Sequence, residues 1–280
     1  MPPADPTFAL ELQFPAIMGI VNVTPDSFSD GGRFFDADDA LEQGLALVRE
    51  GASLVDIGGE STRPGSELVS LDEELRRVLP VVEALAGRVG VPISVDTMKA
   101  DVARRALAAG AAMVNDVSAL RFDDEMVDVI AESGRPVCLM HMQGMPKTMQ
   151  DDPRYDDVVG EVLDFLEDRM AFALARGVRE DQIVIDPGIG FGKTVAHNLA
   201  LLDGLSRFTG LGRPVLIGAS RKRFLGAILG AEPSGRAIGT VTTTVMGYLA
   251  GAHIFRVHDV KPNFEALRVA LAVREGVVAP

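Results

Sequence analysis

Polar residues recur at one kind of place in this chain, directly after short apolar runs. Asn22 follows Ala16-Ile17-Met18-Gly19-Ile20-Val21, and Glu60-Ser61-Thr62 come just after Leu54-Val55-Asp56-Ile57. Asp96 closes Ile93-Ser94-Val95, Asn115 and Asp116 close Met113-Val114, and His141 closes Val137-Cys138-Leu139-Met140. Asp186 ends Ile183-Val184-Ile185, Ser220-Arg221-Lys222 follow Val215-Leu216-Ile217-Gly218, and His258-Asp259 follow Ile254-Phe255-Arg256-Val257. Carboxylates in this set accept hydrogen bonds, amides both donate and accept, and Lys and Arg bring positive charge. Apolar runs of this length fit buried strands. In a closed parallel barrel all strand exits lie on one face, and that face carries the active site. The display of polar chemistry at successive exits therefore predicts an enzyme.

Helix-period segments separate the runs. The clearest stripe is Leu71, Leu75, Val78, Leu79, Val82 and Leu85, with Ser70 and Glu73 at capping-box spacing before it. Similar segments lie near 37–50, 99–109, 123–133, 155–176, 195–207, 236–250 and 263–275, and a short extra helix near 221–229. Gly51, Gly110, Gly134, Gly177 and Gly251 stand where helices stop. Gly51-Ala52, Gly110-Ala111 and Gly251-Ala252 begin a weak internal repeat of helix end, tight turn and buried strand. Alternating strand and helix signals predict right-handed βαβ units and a parallel sheet. Eight strands favour closure, so the expected fold is an α/β (β/α)8 TIM barrel. It forms one domain over residues 1–280, with a core from about 16 to 275.

Composition narrows the partners. The net charge of −13 repels nucleic acid and anionic membranes, so neither is expected. No run approaches the roughly 18 apolar residues of a membrane span. The stretch from Met1 to Pro15 lacks the basic flank and apolar run of a targeting segment. The single cysteine, Cys138, excludes an internal disulfide and suits the cytoplasm. It lies in an apolar run, so a small buried hydrophobe is expected there rather than a catalytic thiol.

Two polar, glycine-bearing loops follow the first two strands, Asn22–Gly32 and Gly58–Gly65, and both are read as lids over the site. With Ser94-Val-Asp-Thr97, Val114-Asn-Asp-Val-Ser118, Leu139-Met-His-Met-Gln-Gly144, Asp186-Pro-Gly-Ile-Gly-Phe-Gly-Lys193, Gly218-Ala-Ser-Arg-Lys-Arg223 and Arg256-Val-His-Asp259, they carry a resemblance. The chain resembles the bacterial dihydropteroate synthases. The motifs run in order along nearly its whole length, with no departure at a position that carries chemistry.

That resemblance implies condensation of 6-hydroxymethyl-7,8-dihydropterin diphosphate with 4-aminobenzoate, giving 7,8-dihydropteroate and diphosphate. It assigns Asp96, Asn115, Asp186 and Lys222 to the pterin edge, where a carboxylate can accept paired N–H donors. Helix capping is the alternative use of Asp96 and Asp186. Thr62, Arg63, Arg256 and His258 are assigned to the diphosphate, and Asn22 to Mg²⁺. Ser220 and Arg221, opening the extra helix, are assigned to the 4-aminobenzoate carboxylate, with Phe28, Arg63, Pro64 and Phe191 around its ring. The implied mechanism is substitution at the pterin methylene with early loss of diphosphate, aided by Asp96, Asp186, Lys222, Arg256 and His258. The resemblance also implies a homodimer through outer helices late in the barrel.

Three other readings compete. Gly188–Thr194 looks like a nucleotide P-loop, but that motif needs glycine where Pro187 stands. A pterin-dependent methyltransferase domain would share the barrel but leaves the first loop and the Gly218–Arg223 motif without a purpose. An inactive pterin-binding paralogue would not need Asn22, Thr62, Phe28, Lys222 and His258.

Overall fold

In a computed structural model, residues 6–24, 37–63 and 65–276 are described. Strand β1 (Ala16–Asn22) leads to α1 (Ala37–Arg49), β2 (Leu54–Gly58) to α2 (Leu71–Ala86), and β3 (Ile93–Asp96) to α3 (Ala100–Ala108). Then come β4 (Met113–Asp116), α4 (Met126–Ser133), β5 (Val137–Met140), α5 (Val158–Ala175) and β6 (Ile183–Asp186). Helices α6 (Val195–Asp203) and α7 (Leu205–Thr209) precede β7 (Leu216–Ile217) and α8 (Arg223–Leu229). The chain ends with α9 (Ala237–Leu249), β8 (Ile254–Val257) and α10 (Val260–Glu275).

The strands form one parallel eight-stranded sheet in the order β6-β5-β4-β3-β2-β1-β8-β7. A parallel bridge between Ile185 and Val215 joins its two ends, as does the Ile185 N–H donating to the Pro214 carbonyl at 3.0 Å. The expected barrel is therefore closed. Strand side chains alternate between two cores. Ile17, Val21, Val55, Ile57, Val95, Val114, Leu139, Ile185, Ile217 and Phe255 point outward into the layer shared with the helices. Ala16, Met18, Leu54, Met113, Cys138, Val184, Leu216 and Ile254 point inward and fill the lower barrel, where Phe8, Leu10, Leu12 and Phe14 pack against them. Cys138 is the buried hydrophobe its setting predicts. Above that layer the inward positions turn polar, which places chemistry at the opposite end.

Helix ends follow local rules. Ser70 accepts the Glu73 N–H at 3.3 Å, but Glu73 gives its carboxylate to Arg76 and Arg77 at 2.8 and 2.7 Å, so only half the capping box forms. The segment near 195–207 breaks in two at Gly204, and the extra helix starts at Arg223, two residues later than its sequence suggests. The last helix starts earlier than its periodicity implies, at Val260, because Pro262 sits in the first turn, where its missing N–H costs nothing.

The internal repeat is a repeat of hydrogen bonds. Ala52, Ala111 and Ala252 donate to the carbonyls of Leu47, Ala106 and Gly247, while Gly51, Gly110 and Gly251 donate to Val48, Leu107 and Tyr248. This double closure ends a helix and turns the chain back toward the sheet. Gly51 has φ +106°, and a Cβ there would lie 2.7 Å from the Phe264 ring. Gly134 also has positive φ, +66°, but its nearest neighbour would be 3.4 Å away. Gly51→Ala should therefore cost about 1–3 kcal/mol and more than Gly134→Ala, measured by urea unfolding. Equal midpoints for the two variants would contradict the role given to Phe264.

Candidate active site

The polar upper layer is built by strand parity. Asp56, Asp96, Asn115, Asp186 and Arg256 continue the inward-facing series of their strands, directly above the apolar layer. They meet at the centre. Arg256 donates from Nε to Asp56 Oδ2 at 2.6 Å and from Nη2 to Asp96 Oδ2 at 2.8 Å. Asn115 Nδ2 donates to the same Asp56 oxygen at 3.0 Å. Asp56 is fully buried, and its other oxygen, Oδ1, has no hydrogen-bond partner. Its carboxylate thus orients both Asn115 and Arg256 from beneath. Sequence reading gave Asp56 no role, although an acid inside an apolar strand is itself the signal.

Lys222 and Asp186 complete the ring. Lys222 Nζ donates to the Ile189 carbonyl and lies 4.4 Å from the centre of the Phe191 ring. Gly190, at φ +86°, lets the Lys222 stem pass, since a Cβ there would lie 2.9 Å from Cδ. Burial lowers the Lys222 pKa to about 8, with Asp186 and Asp96 pulling upward and Arg256 downward. Burial likewise raises Asp186. It lifts Asp96 to about 7 against the pull of Arg256, with Asp56 adding to the rise. Arg256 loses stability as a cation by burial, but Asp56 and Asp96 outweigh that and leave its pKa raised. These shifts describe one cluster of acids and cations in a poorly solvated pocket.

Neither Asp96 nor Asp186 caps a helix. Thr97 Oγ1 and Asp123 Oδ2 take the N–H groups of Lys99 and Ala100 at the start of α3, and Thr194 caps α6. Asp186 spends one oxygen on the Gly188 N–H at 2.6 Å, leaving its other oxygen for a ligand.

The exits of β7 and β8 interlock. His258 Nδ1 lies 2.9 Å from the Ser220 hydroxyl oxygen, which also accepts the His258 backbone N–H at 3.1 Å. Ser220 thus engages both the backbone and Nδ1 of His258, and Nε2 is the ring's other polar atom. Burial, Arg256 and Arg221 press the His258 pKa down to about 3, so its ring is neutral. Arg221 holds Asp259 through two bonds, at 2.9 and 2.5 Å, and its own N–H donates to Thr240 Oγ1 at 3.1 Å. The Arg221 amide is therefore already bonded within the protein. Phe191 packs beside the Met98, Met140, Met142 and Met149 cluster, over Lys222. Thr62 and Arg63 lie in the loop after β2, with Arg63 close enough to depress His258. Phe28 and Pro64 lie outside the described residues.

Two polar exits serve the scaffold instead. Asp116 faces outward and accepts from Ser118 and Leu120, shaping a turn in which Ala119 and Leu120 have positive φ. His141, also outward, is buried with Nδ1 2.8 Å from Lys193 Nζ and its ring edge-on to Phe165. Burial and Lys193 hold it neutral, with a pKa near 2. Lys193 is 3% exposed and also donates to the Phe191 carbonyl at 3.0 Å. That removes the P-loop reading, which needs this lysine free for phosphate.

Asn22 ends β1 on the inward parity, paired with Gly58, and its side-chain amide has no hydrogen-bond partner among the described residues. No three His, Cys, Asp or Glu side chains among the described residues cluster as metal ligands. A lone amide oxygen fits Mg²⁺ that keeps its waters and is carried by a diphosphate.

Known proteins resemble this chain in sequence and fold. A family model described as pterin binding enzyme matches residues 18–258. Dihydropteroate synthase of Escherichia coli K12 is 47% identical over 264 residues, covering 94% of this chain and 93% of that protein. The Bacillus subtilis dihydropteroate synthase is 48% identical over 245 residues, covering 88% and 84%. The Xanthomonas albilineans dihydropteroate synthase solved with 4-aminobenzoic acid superposes with a TM-score of 0.89 at 49% identity, over 95% of this chain and 94% of that one. The structure of dihydropteroate synthase from the same organism with 7,8-dihydropteroate gives 0.86 at 46% identity, over 97% of each chain. The chain belongs to the pterin binding enzyme family, among its dihydropteroate synthases.

Proposed function

We propose that this chain joins (7,8-dihydropterin-6-yl)methyl diphosphate to 4-aminobenzoate, releasing diphosphate and 7,8-dihydropteroate. The observation that carries the reading is the buried cluster in which Asp96, Asn115, Asp186 and Arg256, from four separate strands, meet Lys222 from the turn after β7. A pterin edge offers N–H donors beside a carbonyl and ring nitrogens. Asp96 and Asp186 receive the donors, Asn115 meets both kinds of group, and Lys222 donates to the carbonyl side.

The reaction is carried by charge placement. As the methylene carbon–oxygen bond breaks, its electron pair leaves with the diphosphate, and the ring takes up positive charge. Asp96 and Asp186 stabilise that charge. Arg256, His258, Thr62 and Arg63 face the departing diphosphate. Asn22 would hold Mg²⁺, which supplies further neutralisation of the diphosphate. The neutral amine of 4-aminobenzoate then attacks the methylene carbon and loses its proton to solvent or diphosphate. Its carboxylate is assigned to the Ser220–Arg221 turn, with Arg221 held in place by Asp259. Phe191 walls the site from the Lys222 side. Phe28 and Pro64 belong to the same assignment.

The defining experiment is diphosphate release by purified protein, dependent on both substrates and on Mg²⁺ and needing no corrinoid. No release in a folded preparation would reject the reading. Asp186→Asn should lower kcat by about 10²–10³-fold while leaving the melting temperature intact. Turnover close to that of the unmodified enzyme would remove Asp186 from the mechanism.

The pH profile has a sign fixed by the pocket. Asp96 gains a proton as pH falls through about 7, and Lys222 loses one as pH rises through about 8. kcat/KM should therefore decline on both sides of a narrow optimum. Lys222→Arg should abolish the alkaline decline, because guanidinium stays charged. An unchanged alkaline limb in that variant would refute the assignment.

We also assign a homodimer to the faces of α9 and α10. Ile238 and Val273 are 80% and 81% exposed there, with Met246, Leu249 and Val269 also open. Ile238→Glu with Val273→Glu should halve the sedimenting mass, whereas a monomeric starting protein would end the proposal. No helix among the described residues is long and apolar enough to cross a membrane. With one buried thiol, the chain suits the cytoplasm.

A further inference from the structure

The loop between β2 and α2 is fastened at both ends by one carboxylate. Glu60 Oε2 accepts the Val69 N–H at 3.0 Å, nine positions along the chain, and Lys99 Nζ at 2.6 Å. Lys99 also donates to Glu74 Oε2 at 2.5 Å, and Glu74 Oε1 accepts the Thr97 hydroxyl at 2.6 Å. Arg77 adds a bond from Nη1 to the Gly59 carbonyl at 2.9 Å. Within the loop, the Ser66 hydroxyl lies 2.6 Å from the Ser61 carbonyl and 2.5 Å from that of Arg63.

The ion pairs are enclosed, and no hydrogen bond joins Glu60, Glu74 or Lys99 to Asp96, although the Glu74 charge helps to raise the Asp96 pKa. The side chains of Glu60, Glu74 and Lys99 are 6%, 1% and 15% exposed. One ammonium serving two buried carboxylates is costly to assemble, and its loss leaves two unpaired charges. Burial lowers the Lys99 pKa, but Glu60 and Glu74 outweigh it, so the ammonium stays charged. What the arrangement achieves is geometric. Thr62 and Arg63 lie between the two fastened ends, while Thr97 follows directly on Asp96 and Lys99 stands three residues beyond it.

We infer that Glu60 and Lys99 are positioning residues, whose ion pair holds the Thr62–Arg63 loop in register with Asp96 so that 4-aminobenzoate meets the pterin correctly. This rests on the synthase reading above. Misplacing that loop affects the diphosphate that Thr62 and Arg63 face and the 4-aminobenzoate ring beside Arg63, while the edge that meets the pterin ring, carried by β3, β4, β6 and the turn after β7, stays intact.

The test compares Glu60→Gln, Lys99→Met and Lys99→Arg in the full chain. Glu60→Gln keeps the shape of the side chain, so it serves if Lys99→Met fails to fold. Hydrogen exchange across residues 61–70 should quicken at least about tenfold in Glu60→Gln and Lys99→Met, and be restored in Lys99→Arg. The KM for 4-aminobenzoate should rise at least about fivefold in the same two variants, while 6-hydroxymethylpterin binding, by calorimetry, stays within about twofold. Unchanged loop exchange, or joint loss of pterin binding and aminobenzoate KM, would overturn the inference, as would a Lys99→Arg variant no better than Lys99→Met. If the unmodified protein makes no dihydropteroate, the synthase reading fails separately, and loop exchange alone decides whether the clasp exists.

Discussion

Everything polar in the upper barrel depends on Arg256 lying between Asp56 and Asp96. A fully buried carboxylate such as Asp56, with one oxygen left unbonded, is costly without a cation beside it. Arg256 provides it and, with its planar fork, fixes two acids at once, which a lysine ammonium cannot do with the same directionality. Asn115 is then oriented by the Asp56 oxygen that Arg256 already holds. Asp96 keeps one oxygen clear of Arg256, and Asp186 keeps one clear of Gly188. The pocket is thus prepared before any ligand enters. The cost of arranging charges falls on folding, and little reorganisation is left for the reaction.

Much of this was legible in the amino-acid order, and what was missed has a physical cause. The strand runs and their polar exits were visible because a parallel barrel buries both faces of each strand. Helix ends were visible where glycine was needed for positive φ. Membership of the pocket was less visible, because an exit residue can face either way. Asp96, Asn115 and Asp186 share the inward parity of Met113, Cys138 and Val184, whereas Asp116 and His141 fall on the outward parity and were absorbed by the scaffold. Counting by twos from the apolar layer would have separated them and would also have brought in Asp56. The Glu60–Lys99–Glu74 group could not be read this way, since its members come from a loop, a turn and a helix. Spacing along a chain carries no information about such a meeting.

The glycines after β6 show how a motif can mislead. A phosphate-binding loop needs glycine so that backbone amides can approach a ligand. Here Gly188 and Gly192 let the loop approach protein instead, since a Cβ would lie 1.8 Å from the His141 carbonyl oxygen and 2.6 Å from that of Gln143. Gln150 and Tyr155 then grip the Gly190 and Gly192 carbonyls at 2.6 and 2.9 Å. The same residue type solves two different crowding problems, and only the neighbours tell them apart.

The single thiol in the lower barrel has a practical consequence. Cys138 is wholly enclosed by side chains from the surrounding strands, and burial holds its thiol well above the ordinary range. Alkylating reagents attack the thiolate, so this atom is silent while the cylinder stays shut. Its labelling therefore keeps time for rare excursions in which neighbouring strands part. The molecule carries its own stopwatch for breathing of the innermost layer.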